Sequence, residues 1–239
     1  MSGNFQYPEG LPLWKRALDL ALIALSLPLT LPVGILIALV IKCVSRGPVF
    51  FRQERIGYLG RKFLCYKFRT MHTGAQAAGH EQHLAHLISS DAPMEKLDAR
   101  GDKRIIPGGR KLRAWGLDEL PQLFNVLRSE MSLVGPRPCL PYECAKFLPW
   151  QKKRFRAVPG LTGLWQVSGK NRTTFSEMIR LDIQYARTKS LWLDLKIIFK
   201  TVPALVAQSR DIAGRKNLTA DTRETETVEA AMRPRPVHH

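Results

Sequence analysis

An apolar segment near the N-terminus is the feature that most limits how this chain can fold. Residues 17–41 contain one charged side chain, Asp19, among Leu, Ile, Ala and Val. A helix of this length measures about 37 Å, which exceeds the roughly 30 Å hydrocarbon core of a bilayer. The segment is too long for a signal peptide, and no small-residue cleavage site follows it. The sequence therefore predicts a helix that enters a membrane.

Two features of this segment favour re-entry over a simple crossing. Pro28 and Pro32 lie near its middle, and each interior proline costs a straight helix about 3 kcal/mol. Positive charge tends to stay on the cytoplasmic side, and here both ends carry it. The flanking bases are Lys15, Arg16, Lys42 and Arg46. We expect a helix–break–helix that enters one leaflet and returns, with a kinked single-span anchor as the alternative.

Length and composition narrow the remaining possibilities. The 239 residues suffice for one globular domain plus an appendage. Lys and Arg number 37 against 20 Asp and Glu, which favours polyanionic partners such as nucleic acid, nucleotide phosphates or anionic lipid head groups. The four cysteines, Cys43, Cys65, Cys139 and Cys144, contain no C-x-x-C pair. The spacing therefore argues against a zinc site or a disulfide framework. It is simplest to interpret the cysteines as free thiols in a reducing, cytoplasmic compartment.

The rest of the chain predicts a small hairpin and several helices. Residues 48–73 alternate β-formers with bases around a Gly-rich turn at 57–60, which is typical of a short hairpin with a basic face. Residues 74–100 predict a helix followed by a loop. The three histidines of that region indicate a solvated helix face more than a metal site. They are His80, His83 and His86.

Three further helices are expected at 118–129, 141–156 and 176–188. The first should bury one face, made of Leu120, Leu123, Phe124 and Leu127, with Pro121 in its first turn. Residues 191–200 form an apolar stretch that could be core or could lie in a membrane interface. Residues after 215 are polar and should be disordered.

Two adjacent carboxylates, Asp118 and Glu119, follow the basic residues of 110–113 at the expected start of a helix. Asp118 as a plain helix N-cap is the structural alternative. A helix N-terminus among bases also attracts phosphate and keeps a carboxylate ionised, and an ionised aspartate can attack phosphorus. Mg²⁺ bound by Asp118 would hold the phosphates beside it. Glu119 could coordinate, orient, or deprotonate an acceptor.

Two loop segments could bind phosphate or a nucleotide. Arg137 stands between Pro136 and Pro138, so its backbone is restrained and its guanidinium is presented at little ordering cost. A plain rigid turn with an exposed arginine is the alternative. Residues 159–172 combine tight turns with Trp165 and two bases, and could cradle a nucleotide or simply form a hairpin.

Taken together, these segments resemble the bacterial sugar transferases, the monotopic polyprenol-phosphate phosphoglycosyl transferases. The matching pieces occur in family order from about residue 14 to residue 205, and they lie at 15–20, 47–53, 66–71, 117–127, 131–138 and 159–167. The resemblance implies transfer of a sugar-1-phosphate from a UDP-sugar to undecaprenyl phosphate with release of UMP. Such a step initiates an exopolysaccharide, capsule or O-antigen type glycan.

The resemblance also assigns residues. The aspartate matching Asp118 attacks the β-phosphate to form a covalent phosphosugar, and Glu119 matches its partner. The basic positions expected to hold phosphates are Lys67, Arg69, Arg113 and Arg137. Asp182 matches a further family acid whose role stays open. Mg²⁺ is the expected cofactor, and a catalytic unit without the large multi-span region of bigger relatives is the expected form.

We therefore expect an α+β, mostly helical protein with a membrane-embedded re-entrant helix and a cytoplasmic catalytic domain that carries a short hairpin and interfacial amphipathic helices. The expected divisions are a tail at 1–14, the membrane helix at 15–47, the catalytic domain at 48–215 and a disordered tail at 216–239. Expected partners are a UDP-sugar, undecaprenyl phosphate and lipid of the bacterial inner membrane, not nucleic acid. Oligomeric state is open, with a homodimer as one alternative. A basic membrane-surface or nucleic-acid-binding protein without catalysis is the rival interpretation.

Overall fold

The structure, a computed structural model, describes residues 11–72, 90, 104–169, 173–207 and 209. The helices and strands are α1 (Leu13–Val44), β1 (Phe50–Ile56), β2 (Lys62–Phe68), α2 (Gly109–Ala114), α3 (Leu123–Leu127), β3 (Ser132–Val134), α4 (Pro141–Ala145), β4 (Gly160–Thr162), α5 (Leu164–Val167), α6 (Phe175–Thr188) and α7 (191–207). Short 3₁₀ turns cover Tyr58–Gly60, Leu117–Gln122 and Gln151–Arg156. The predicted helix and loop at 74–100, apart from Ser90, and the tail after 215 lie outside the described residues.

The long helix α1 matches the apolar segment, but the predicted interruption of the helix is wrong. Re-entry into one leaflet stays a prediction. Leu13–Val44 is one continuous helix, and both Pro28 and Pro32 lie inside it. Each proline removes only one intrahelical hydrogen bond, and helices rich in apolar residues tolerate that loss. Among the described residues, α1 is the one helix long and apolar enough to cross a membrane, and only 11% of its most apolar window is buried.

Polar contacts hold the first turns of α1 on the rest of the protein. Arg16 donates to the carbonyl oxygens of Val126 (2.6 Å) and Leu127 (2.7 Å). Asp19 accepts hydrogen bonds from the Ser132 hydroxyl and the Leu133 amide, both at 3.0 Å. The start of α1 is therefore tied directly to strand β3 and helix α3.

Lys15 is not a surface charge that flanks the apolar segment. Its ammonium is fully buried, forms an ion pair with Asp194 of α7 and donates to the Tyr185 hydroxyl of α6 at 2.9 Å. Tyr185 in turn donates to Asp194 (2.7 Å). The positive-charge pattern at this end of the helix thus reflects an internal ion pair, because a buried charge needs a partner.

The other end of α1 packs on the same domain through apolar side chains. Ile37 and Ile41 are buried against Phe68 of β2 and Ile106. Three partly buried leucines surround this cluster, namely Leu112, Leu117 and Leu120. Both ends of α1 therefore contact one body of protein, while side chains of its middle, such as Leu25 and Leu29, stay exposed.

The predicted hairpin is confirmed. Strands β1 and β2 pair antiparallel from Phe50 opposite Phe68 to Ile56 opposite Lys62, with the turn at Tyr58–Gly60. The bases within the strands do not share one face, because Arg52 and Lys62 lie on one side of the hairpin and Arg55 and Lys67 lie on the other. The predicted single basic face is therefore wrong. Arg52 lies over the Tyr66 ring at 5.7 Å.

The helix expected at 118–129 is two short elements. Its predicted buried face is confirmed for Leu120 and Leu123, which pack in apolar clusters, and is wrong for Phe124 and Leu127. A 3₁₀ turn at Leu117–Gln122, which we call the carboxylate turn, leads into α3. A 3₁₀ turn winds more tightly than an α-helix, so the faces shift. Phe124 and Leu127 are exposed, whereas Gln122, Asn125 and Val126 are buried.

A second small sheet places two loop segments side by side. Strand β3 pairs parallel with β4, with Ser132 opposite Gly160 and Val134 opposite Thr162. The hairpin alternative for 159–172 is therefore wrong as far as residue 169, because β4 is followed by the short helix α5. The predicted helix at 141–156 divides into α4 and a 3₁₀ turn, and the helix at 176–188 is confirmed as α6.

Candidate active site

The carboxylate turn begins at a glycine rather than at the aspartate. Gly116, in the left-handed conformation (φ 69°), occupies the N-cap position, and Asp118 and Glu119 lie in the first turn after it. The interpretation of Asp118 as the N-cap is therefore wrong. The turn and α3 are both short, so the helix-dipole reason for phosphate binding at this point also loses its basis.

The two carboxylates differ in environment. Asp118 is buried, with 9% of its surface exposed, whereas the Glu119 side chain is 37% exposed. Glu119 Oε1 lies 2.6 Å from the ammonium of Lys67 on β2. The structure thus brings together Lys67 and Glu119, two of the residues that the sequence assigned to the site.

The carboxylate turn is held in place from two sides. Leu117 and Leu120 pack in the apolar cluster with Ile37 and Ile41 of α1. The carboxylates therefore lie next to the end of the apolar helix.

On the other side, the fully buried Asn125 side chain bonds to the edge of β2. It accepts from the Tyr66 amide (3.2 Å) and donates to the Leu64 carbonyl (2.7 Å). The side-chain amide of Asn125 thus pairs with the backbone of β2 as a neighbouring strand would. This fixes α3, and the carboxylate turn that leads into it, relative to Lys67, the residue after Tyr66 on β2.

The buried thiol of Cys65 shows which charges share this region. Burial raises the pKa of Cys65, while the positive charges of Lys67, Arg55 and Arg137 lower it and the negative charge of Glu119 raises it. These charged residues come from the hairpin, the carboxylate turn and the loop after β3, and all act on one side chain. They therefore form a single electrostatic neighbourhood, as expected for a phosphate-binding site.

Arg137 is partly buried and forms an ion pair. The alternative interpretation, a rigid turn that carries an exposed arginine, is therefore wrong. Its side chain is 27% exposed, and Nη1 lies 3.4 Å from Oε2 of the buried Glu143. Burial alone would lower the pKa of the Arg137 guanidinium, but Glu143 raises it on balance. Glu143 also accepts a hydrogen bond from the Leu140 amide at 3.1 Å, which fixes its orientation. The guanidinium is thus held by a counter-ion while part of it remains accessible.

The other two predicted phosphate ligands lie in different settings. Arg69 is buried and donates to the carbonyl oxygens of Ser45 (2.8 Å) and Arg46 (2.6 Å) just after α1, so its contacts in the structure are with the end of the helix. Arg113 is partly buried in the last turn of α2, which packs on the carboxylate turn. Their part in phosphate binding stays a prediction.

Asp182 is fully buried on α6 and forms an ion pair with Arg154. Burial raises the pKa of Asp182 to about 6, against the lowering effect of Arg154 and Arg137. A carboxylate with no exposed surface does not touch a substrate in this conformation. Its contacts connect it to the loop of Arg137, because Arg154 also donates to the Arg137 carbonyl at 2.8 Å.

The donor set for a metal ion is small. No group of three or more His, Cys, Asp or Glu side chains occurs within the residues that the structure covers. Asp118 and Glu119 remain as adjacent oxygen donors. Mg²⁺ usually takes one or two carboxylates and completes its shell with water and substrate phosphates, so this pair fits that ion and does not fit zinc or a fully protein-bound metal.

Several residues of this region carried little signal in the sequence. Arg55 and Arg154 are ordinary bases in a chain of net charge +17. Glu143 follows Pro141 by two positions at a helix start, a spacing typical of capping, and this could have predicted its bond to the Leu140 amide. Asp194 is a lone acid in an apolar run, which could have indicated a buried partner.

A partly buried carboxylate pair among bases, packed on an exposed apolar helix, is the arrangement expected of a transferase that handles phosphorylated substrates at a membrane. The model of the family described as "Bacterial sugar transferase" matches residues 11–208 of the chain.

Curated relatives agree. The chain is 40% identical over 194 residues to "Exopolysaccharide production protein ExoY" of Rhizobium meliloti, covering 80% of this chain and 84% of that protein. It is 44% identical over 201 residues to the "UDP-glucose:undecaprenyl-phosphate glucose-1-phosphate transferase" of Caulobacter vibrioides, covering 80% and 69%. It is also 40% identical over 165 residues to the "Undecaprenyl-phosphate galactose phosphotransferase" of Salmonella typhimurium, covering 67% and 34%. The chain therefore belongs to the bacterial sugar transferase family, and it is an enzyme of that transferase type.

Proposed function

We propose that this protein transfers a sugar-1-phosphate from a UDP-sugar to undecaprenyl phosphate, with release of UMP, as the first step of an exopolysaccharide, capsule or O-antigen type glycan. Family membership supports the reaction class. The observation that carries the proposal is the position of the carboxylate turn. Its leucines pack on α1, so Asp118 and Glu119 lie where the apolar helix meets the basic hairpin.

In the first step, a carboxylate oxygen of Asp118 attacks the β-phosphorus of the UDP-sugar. A phosphorus–oxygen bond forms to the aspartate, the bond from the β-phosphorus to the bridging oxygen breaks, and UMP leaves with that electron pair. Burial keeps water away from the nucleophile and from the resulting acyl phosphate. Arg137 and Lys67 supply positive charge that stabilises the phosphate oxygens in the transition state.

In the second step, a phosphate oxygen of undecaprenyl phosphate attacks the same phosphorus. The bond to Asp118 breaks, the free carboxylate returns, and the product is the sugar linked to undecaprenyl diphosphate. Glu119, which is more exposed than Asp118, accepts the proton of the acceptor phosphate when one is present. Its ion pair with Lys67 holds the carboxylate in place for that role.

Mg²⁺, held by Asp118 and by substrate oxygens, would neutralise phosphate charge beside the carboxylates. The adjacent donors Asp118 and Glu119 support this assignment. We expect turnover to fall by at least about tenfold when a chelator removes divalent cations, and to return on addition of Mg²⁺. UMP release by purified protein with added EDTA and stepwise added Mg²⁺ is the measurement. Full activity in the chelator would remove Mg²⁺ from the proposal.

The proposed location is the cytoplasmic face of the bacterial inner membrane, and the contacts of α1 support the part of this proposal that concerns sidedness. A crossing helix would carry its two ends to opposite sides, whereas Lys15 and Asp19 at one end and Ile41 at the other contact the same body of protein. These contacts support a helix that enters one leaflet with both ends on one side.

The decisive experiment for the reaction uses the aspartate. Purified full-length protein incubated with a radiolabelled UDP-sugar should form a covalent phosphosugar adduct and release UMP. Asp118→Asn should abolish both, since the amide cannot serve as the nucleophile, with a loss of about 10³-fold or more. Glu54→Gln is a matched control, because Glu54 is an exposed carboxylate that pairs with Lys62 on the hairpin, outside the carboxylate turn. It should leave both signals unchanged.

The same assay separates the rival interpretations. A basic membrane-surface or nucleic-acid-binding protein without catalysis would release no UMP from any UDP-sugar. An undiminished adduct in Asp118→Asn would place the nucleophile elsewhere. A panel of UDP-sugars scored for UMP release identifies the sugar.

A further inference from the structure

The loop that carries Arg137 is held through its carbonyl groups. We call residues 136–138 the Pro-Arg-Pro loop. Three donors from three separate parts of the chain each bind one of its carbonyl oxygens, namely the Gly160 amide to Pro136 (2.9 Å), Arg154 Nη2 to Arg137 (2.8 Å) and Arg55 Nη1 to Pro138 (3.1 Å). The prolines have no N–H, so the orientation of this loop depends on its carbonyl groups.

Arg154 is the donor that acts on Arg137 itself, and its own position is tightly determined. It is fully buried, pairs with the equally buried Asp182 and lies over the Phe147 ring at 5.6 Å. Its Nε and Nη1 atoms have no hydrogen-bond partner in the described part of the chain. The directed contacts of Arg154 are therefore two, one to Asp182 and one to the Arg137 carbonyl.

Arg137 is thus restrained at both ends. Arg154 binds its carbonyl, and Glu143 lies 3.4 Å from its guanidinium, which is still partly exposed. We propose that Arg154 is a positioning residue that sets the orientation of Arg137 toward a substrate phosphate, with Asp182 holding Arg154 in place. This inference rests on the phosphate-binding role of Arg137 in the proposed function, and it gives Asp182 a role without substrate contact.

A positioning role has a measurable size. Hydrogen bonds that orient a phosphate-binding guanidinium act through geometry, and a displacement of about 1 Å at a reacting group can cost about 10²-fold in rate. Lysine at position 154 would keep the positive charge beside Asp182 but lacks the planar fork and reach of arginine. Arg154→Lys should therefore weaken the hold on the Arg137 carbonyl more than it weakens the buried ion pair.

The test is a double-mutant cycle between positions 154 and 137 in the full-length, lipid-reconstituted protein. Arg137→Gln should lower kcat/KM for one of the two phosphate substrates by about tenfold or more, and Arg154→Lys should lower the same parameter by about tenfold. The double variant should lose no more than Arg137→Gln alone. Asp182→Asn tests the same set of contacts from the other end, because it weakens the ion pair that holds Arg154. It should show the same coupling to Arg137→Gln.

A merely structural role predicts a different pattern. Arg16→Lys is the matched control, because Arg16 also donates to two backbone carbonyls but at helix α3. Its effect on kcat/KM should add to that of Arg137→Gln. Thermal unfolding of every variant is measured in parallel, and the stability loss caused by Arg154→Lys should be equal with and without Arg137→Gln.

Each outcome has a consequence. Additive losses from Arg154→Lys and Arg137→Gln would overturn the positioning role and leave the transferase proposal intact. If the wild type released no UMP from any UDP-sugar, the proposed function would fail, and the cycle would be measured on the Kd of UDP by calorimetry. If Arg137→Gln changed neither kcat/KM nor that Kd, the positioning role would be overturned, whatever the wild type catalyses.

Discussion

Glycine positions show at the scale of single residues how the site is built. A Cβ at Gly135 or Gly160 would lie within overlap distance of backbone atoms of the facing segment, and a Cβ at Gly163 would overlap the Gly135 carbonyl. These glycines therefore allow the loop after β3 and the loop around β4 to touch through their backbones. The Pro-Arg-Pro loop owes its position to that contact, because the Gly160 amide binds the Pro136 carbonyl.

Gly160→Ala should be strongly destabilising, since the atoms it meets are backbone and cannot rotate away. We expect a loss of about 3 kcal/mol or more, at the upper end of overpacking effects. Thermal unfolding in detergent, read by circular dichroism, is the measurement. Gly34→Ala is the matched control, because a Cβ there would make ordinary contact with Phe68 at 3.9 Å and should leave stability unchanged or slightly raised. Equal stability of the two variants would contradict the close backbone approach.

Helix α7 shows at the scale of elements how one segment serves two environments. Asp194 and Ile197 are buried, the first in the ion pair with Lys15. On the outer side, Trp192 (77%) and Phe199 (76%) are largely exposed, and lysines lie between and after them. The sequence left core and membrane interface as alternatives for this stretch. The inner face of the helix is core, and a membrane interface stays a prediction for the exposed face. An apolar face with adjacent bases is typical of a helix at a lipid surface.

If that face lies on the bilayer, Trp192 should be quenched by brominated lipid. A variant that keeps Trp192 as its sole tryptophan should lose at least about half its fluorescence in vesicles of brominated phosphatidylcholine with phosphatidylglycerol, because the ring would sit at headgroup depth. A matched variant that keeps only Trp165, which is buried in the protein core, should be quenched little. Equal quenching of both would place the exposed face of α7 away from lipid.

The whole molecule is organised around α1. Its first turns bind β3 and α7 through buried polar groups, and its last turns join the apolar cluster beneath the carboxylate turn. The helix that meets the membrane is therefore also a structural part of the catalytic domain. In the proposed function, this arrangement would keep Asp118 at the lipid boundary, within reach of a water-soluble nucleotide sugar and of a lipid-bound phosphate.

Cysteine labelling tests the sidedness of this arrangement. In a background with the four native cysteines replaced by serine or alanine, Ser2→Cys should react with a membrane-impermeant maleimide from the same side of the membrane as Ser168→Cys, which is exposed on the catalytic domain. The reason is that both ends of α1 contact one domain. Labelling of Ser2→Cys only from the periplasmic side would show a crossing helix instead.

Local patterns in the sequence were sufficient for the elements that depend on near neighbours. The hairpin within 48–73, helix α6 and the long apolar helix all follow from residue patterns and hydrophobicity over short spans. Asp118 and Glu119 are likewise close to each other because they are consecutive residues in the chain. The resemblance of its motifs to those of the bacterial sugar transferases identified the family. The match of the family model to residues 11–208 confirms it.

Tertiary structure decided what those local patterns could not. Lys15 and Asp194 are 179 positions apart in the chain, so no local pattern connects them. The carboxylate turn packs against α1 and β2, and the chain that leaves it exposes Phe124 and Leu127, which the sequence pattern had placed on a buried face. A buried charge requires a partner, but the sequence does not say which one, and only the folded chain brings Arg154 to both Asp182 and the backbone of Arg137. Burial and ion pairing depend on which residues meet in three dimensions, whereas the sequence gives only their order along the chain.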